Sequence, residues 1–251
     1  MMSSQTVMTT SIVYPDSDGM PMADNTKQFR AIVTIQGNLD AIFRERDDVF
    51  VAGDLLWYPV EGRPDIRRAP DVMVVFGRPK GDRGSYRQWE EDGIAPQVVF
   101  EVLSPSNTLT ELAAKQEFYD TYGVEEYYLY DPDRGDMSGW QRRDGRLRVI
   151  QELDGWVSPR LGIRFVRTDQ GMQLHWPDGR PFVSFVELQA QAEQERQRAE
   201  QERQRAEQER QRAEQERQRA EQERQRAEQE RQRAERLAAQ LRALGIEPPE
   251  E

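Results

Sequence analysis

The sequence predicts an α/β domain followed by one long helix, and three observations carry that expectation. Apolar runs of strand length alternate with stretches of helical spacing between about residues 25 and 130. Short strand-like pieces separated by Asp-Gly turns occupy Gly139 to Trp176. Residues 192–233 are six perfect copies of Ala-Glu-Gln-Glu-Arg-Gln-Arg. The expected division is a disordered N-terminus over 1–22, a folded domain over 23–186, a charged helix over 187–245 and a tail over 246–251.

Each element follows from local chemistry. Asp24 can cap a helix in which Phe29, Ile32, Val33, Ile35, Leu39, Ile42 and Phe43 recur up to about Arg46, with Gly37 as an internal weakness. Val49-Phe50-Val51 and Leu55 to Val60 read as two strands around the turn Ala52-Gly53-Asp54. Pro70 to Phe76 and Pro96 to Leu103 read as buried strands, joined by a long polar connection over 77–95. Ser106 or Asn107 can cap a second helix that stops at Gly123, a C′ glycine. Glu126 to Tyr130 is a further strand, and antiparallel hairpins follow up to Trp176.

The repeat has one apolar position per heptad, and that residue is Ala, so no seam of large knobs forms. Nearly every Arg has Glu three residues before it and four after it, both neighbours on a helical surface. A single solvated helix is expected, with a weak self-associating coil as the alternative. Leu237, Leu241 and Leu244 offer a short apolar patch near its end.

Composition excludes several chemistries. The 251 residues contain no Cys and one His, His175, which removes thiolate zinc sites, cysteine nucleophiles and a Ser-His-Asp arrangement. Ser104 also lacks the Gly-x-Ser-x-Gly flanks of a nucleophile elbow. A metal here must be held by oxygen, which favours Mg²⁺ or Mn²⁺. No run approaches a membrane span and the start lacks a signal-peptide pattern, so a cytoplasmic protein with no membrane partner is expected. The net charge is −11, all of it outside the neutral repeat. Yet Arg63, Arg67, Arg68, Arg78, Lys80, Arg83 and Arg87 bracket Asp71 as a local basic stretch.

Two carboxylates stand against apolar strands: Asp71 opens Val72-Met73-Val74-Val75, and Glu101 follows Val98-Val99-Phe100. A charge in such a place is costly unless a partner or a cation neutralises it. If the two strands pair, both acids converge on a divalent cation, to which the Val102 carbonyl can add. The alternatives are a strand cap for Asp71 and a structural salt bridge for Glu101. Lys115 stands out because the chain has thirty-two Arg and three Lys. Its neighbours at helical spacing are Leu112, Phe118, Tyr119 and Tyr122, which place it beside the packed stripe; the alternative is a snorkelling lysine.

Pro70-Asp71, Phe100-Glu101-Val102-Leu103-Ser104-Pro105-Ser106, Lys115 with Phe118-Tyr119, Tyr122 to Tyr128 and Asp131-Pro132 together resemble the Uma-two family, described as putative restriction endonucleases of the PD-(D/E)XK superfamily. The resemblance spans roughly residues 25–170. It implies a restriction-endonuclease-like core, a mixed central sheet flanked by helices, and Mg²⁺-dependent cleavage of DNA, often by a homodimer. It maps Asp71 and Glu101 onto the family's acids. The usual Glu-x-Lys is absent because Leu103 stands two residues after Glu101, so the lysine is expected from the following helix, at Lys115. Glu45 is the expected additional acid from the first helix. The alternative function is an inactive nuclease fold serving as an interaction module with a helical spacer.

Overall fold

The computed structural model describes residues 12–19 and 21–243. The chain forms two compact units, 1–187 and 188–251. Among the described residues of the first, ten strands and two α-helices run α1 (Thr26–Ile42), β1 (Val49–Gly53), β2 (Trp57–Tyr58), β3 (Val72–Phe76), β4 (Tyr86–Arg87), β5 (Val98–Val102), α2 (Leu109–Thr121), β6 (Glu126–Asp131), β7 (Asp136–Arg143), β8 (Arg146–Val149), β9 (Arg164–Thr168) and β10 (Gly171–His175).

Six strands make the central sheet in the order β1-β3-β5-β6-β7-β8. Its one parallel step is β5 to β6, and α2 is the crossover between them. The remaining steps are antiparallel, so the sheet is mixed. β3 and β5 are apolar along nearly their full length because the sheet is covered on both faces. On one face, Ile32, Ile35 and Leu39 of α1 pack on Val72, Val74, Val98 and Phe100, joined by Phe165 and Leu174 of the β9–β10 hairpin. On the other, Tyr119 of α2 and Trp57 pack on Met73, Val75, Val99 and Tyr127.

Several local expectations are corrected. The expected hairpin around residues 52–54 does not form: β1 pairs with β3, and β2 pairs in parallel with β4 inside the long connection. That connection is anchored by Tyr86, which is buried and donates to the Ile94 carbonyl at 2.7 Å. The cap of α1 is Asn25, whose side chain accepts from the amides of Lys27 and Gln28; the Asp24 carboxylate is occupied by the hydroxyls of Ser104 and Ser106. Thr108 caps α2 in a capping box with Glu111, rather than Ser106 or Asn107. Gly123 does follow the helix at φ 94°, a conformation that favours glycine. Asp144 and Gly145, at φ 51° and 76°, form the turn between β7 and β8.

Of residues 1–22, positions 1–11 and Met20 lie outside the described residues. Tyr14 packs edge-on against Tyr58 at 5.2 Å and accepts from the Gly62 amide at 2.6 Å. The helix α3 (Phe185–Ala243) begins where Ser184 and Glu187 exchange hydrogen bonds of 2.8 and 3.3 Å. Through the repeat its residues are exposed, and Arg231 sits between Glu228 at 3.6 Å and Glu235 at 3.7 Å, the spacing the sequence sets. Leu244 and residues 246–251 lie outside the described residues. Among the described residues, no helix is long and apolar enough to cross a membrane.

Candidate active site

The β3–β5 register decides where the acids fall. Val72 faces Phe100 across the antiparallel pair, so one step outward brings Asp71 opposite Glu101. Both leave the sheet on the face covered by α2. Asp71 is 8% exposed and Glu101 1%. The two carboxyl groups interact directly, and Asp71 Oδ2 also accepts from the Val102 amide at 2.6 Å.

Glu101 is fixed at both oxygens. Lys115 Nζ donates to Oε2 at 2.6 Å, and the Tyr119 hydroxyl donates to Oε1. Lys115 and Tyr119 lie one helical turn apart on α2, the spacing that puts two side chains on one face. Tyr119 is fully buried and stacked on Trp57 with ring planes 3° apart. The Val102 carbonyl accepts from Gln28 Nε2 at 2.9 Å, which ties the start of α1 to the end of β5.

Electrostatics follow from this crowding. Burial, then the charge of Glu101, pushes the Asp71 carboxyl up to about 8. Burial pulls the Lys115 ammonium down, but the Glu101 carboxylate outweighs it and holds Lys115 above its ordinary value. Burial raises Asp54, and the charges of Asp18 and Glu101 add to the shift. The residues open into a cleft of about 470 Å³ whose lining includes Asp54, Asp71, Lys115, Arg67 and Arg68.

The sequence-derived trio Asp71, Glu101 and Lys115 is therefore brought together, with the Val102 carbonyl alongside. Glu45 is not. α1 ends at Ile42, and Glu45 lies in the following turn, exposed and paired with Arg44 at 3.0 Å. The α1 residue near the site is Gln28, fourteen positions before the helix end and so about 21 Å along its axis. Tyr119, Gln28 and Asp54 were not singled out from sequence. The spacing of Tyr119 from Lys115 was the available signal for the first. The others depend on partners 74 and 47 positions away in the chain, a hydrogen bond from Gln28 to Val102 and the charge of Glu101 acting on Asp54.

These donors fit a hard divalent cation. All are oxygens, and Asp71 and Glu101 repel each other in a buried place, a repulsion that a cation relieves. Among the described residues, no group of three or more His, Cys, Asp or Glu side chains converges as a cage. Two carboxylates and a carbonyl leave several positions to water, in keeping with how Mg²⁺ is usually bound.

A mixed sheet with its acid pair and lysine at one strand end is the class of fold that the sequence resemblance implied. Comparison with known proteins names the family: residues 18–157, more than half of the 251, match Uma2, described as "Putative restriction endonuclease". The chain belongs to that family. It is similar, at 16% identity and a TM-score of 0.41, to a crystal structure described as "a putative nuclease belonging to DUF820" from Anabaena variabilis, over 53% of this chain and 72% of that one. No curated protein matches.

Proposed function

We propose that the protein is a divalent-metal-dependent endonuclease that hydrolyses phosphodiester bonds in DNA. The observation that carries this reading is the direct meeting of the buried Asp71 and Glu101 carboxyl groups, with Lys115 closing on Glu101 from α2. Family membership supports the reaction class. Asp71, Glu101 and the Val102 carbonyl would hold Mg²⁺ or Mn²⁺, which supplies Lewis acidity toward the phosphodiester.

The chain's own groups divide the remaining work. Lys115 keeps its proton at neutral pH, because Glu101 holds it above its ordinary value. It therefore acts as a fixed positive charge that stabilises the negative charge growing on the phosphate, and not as a base. Tyr119 holds Glu101 in one orientation, and its burial excludes water from that side. Gln28 orients the Val102 carbonyl.

The test is cleavage of plasmid and linear duplex by the purified chain with Mg²⁺ or Mn²⁺, against EDTA. Cutting should require the cation and vanish in Asp71→Ala. A variant that cuts as fast as the parent removes the assignment. A parent that neither cuts nor binds millimolar Mn²⁺ by calorimetry makes the domain an interaction module.

A further inference from the structure

The basic stretch around Asp71 is sorted by its partners. Arg63 is held by Asp65 at 2.7 Å, Arg78 and Arg83 close on Glu91 at 2.8 and 2.6 Å, and Arg87 reaches Glu90 at 3.4 Å. Lys80 donates to the Arg44 carbonyl at 3.0 Å. Arg67 and Arg68 have no carboxylate at ion-pair distance among the described residues, and both line the cleft that holds Asp71 and Lys115. In a chain of net charge −11, two adjacent guanidiniums thus lie beside the acids of the cleft without being locked into an ion pair among the described residues.

Both are fixed in place. Arg67 Nη1 donates to the Pro64 carbonyl at 3.0 Å, and Arg68 Nη1 to the Arg67 carbonyl at 3.1 Å. The Arg68 guanidinium lies over the Phe118 ring, 5.6 Å from its centroid, on the helix that carries Lys115. A guanidinium has five N–H donors in a planar fork that matches two oxygens of a phosphate. Among the described residues, Arg67 also meets the Tyr58 hydroxyl, and the remaining donors of both guanidiniums have no hydrogen-bond acceptor.

We infer that Arg67 and Arg68 form a phosphate-binding lip that grips the sugar-phosphate backbone beside the bond presented to Asp71, Glu101 and Lys115. The identity of the polyanion as DNA rests on the nuclease reading. The lip supplies the positive charge that an acidic body otherwise lacks for a nucleic acid.

The test is fluorescence anisotropy of a labelled duplex oligonucleotide titrated with the full chain in EDTA, over a series of NaCl concentrations. Each backbone contact contributes about one unit to the slope of log affinity against log salt. Arg67→Gln or Arg68→Gln alone should flatten the slope by roughly one, and the pair by roughly two. The paired Lys substitutions should keep it, since the charge remains. Arg148→Gln, the same charge change on β8, should leave it unmoved. An unchanged slope in the Gln variants, or a parent that binds no duplex, overturns the lip. A parent that cuts DNA while the slope stays unchanged leaves the nuclease standing without the lip; a flattened slope with no cutting by the parent does the reverse.

Discussion

Asp71→Asn should stabilise the protein, and the gain should depend on pH. The Asp71 carboxyl rises from an ordinary 3.8 to about 8 in the fold, because it is buried and faces Glu101. A raised acid favours the folded state while protonated. Its contribution is intact below the unfolded value and is lost as pH rises through the folded one. Between pH 5 and pH 8 the two values imply a loss of about 4 kcal/mol in the cation-free protein. Asparagine cannot ionise and can still accept the Val102 amide, so the variant escapes the loss. For a domain of this size, about 4 kcal/mol corresponds to a difference of roughly 10 °C in Tm.

Thermal melts of parent and variant in EDTA, at pH 5 and pH 8, measure this. All five Trp lie in the first compact unit, so Trp fluorescence follows that unit without interference from the repeat helix. The variant should gain about 2 kcal/mol over the parent at pH 5 and about 4 kcal/mol more at pH 8. A gap that does not change with pH, or a variant less stable than the parent at pH 8, would refute the reading of Asp71 as a buried, crowded acid.

Other outcomes follow from the same geometry. Mn²⁺ affinity measured by calorimetry should rise from pH 6 to pH 8, with a proton released on binding, because the cation displaces the proton from Asp71. Tyr119→Phe should cost about 1–3 kcal/mol in urea denaturation, since it leaves Glu101 Oε1 buried without its donor; a cost near zero would mean the bond contributes nothing. The isolated repeat should be helical by circular dichroism at every concentration. Melting that shifts with concentration would favour the self-associating coil.

How much was legible in the sequence depended on the range of the contacts involved. The acids just before β3 and within β5 could be read because burial on both faces writes long apolar runs, against which a charge is conspicuous. The repeat helix and Gly123 could be read because their partners lie within four residues. The caps could not. Asp24 is as good a cap as Asn25 in isolation, but Ser104 and Ser106, 80 and 82 residues later, claim its carboxylate. β1 looked like one arm of a hairpin because Gly53 and Asp54 make a plausible turn, yet the better apolar partner was β3. Glu45 was assigned from the expectation of an acid on the first helix. The helix presents its N-terminal end to the site, where the residue is Gln28. The basic stretch looked like one surface, and Glu91 removed Arg78 and Arg83 from play.

The scarcity of lysine gives the site a built-in reporter. An acylating reagent for primary amines meets three side chains, of which Lys27 and Lys80 are exposed and Lys115 is half-buried against Glu101. The first two should label quickly and the third slowly, by an amount set by how tightly the pocket is closed. Peptide mapping of residue 115 thus follows the state of the acids directly, with no substrate in the assay.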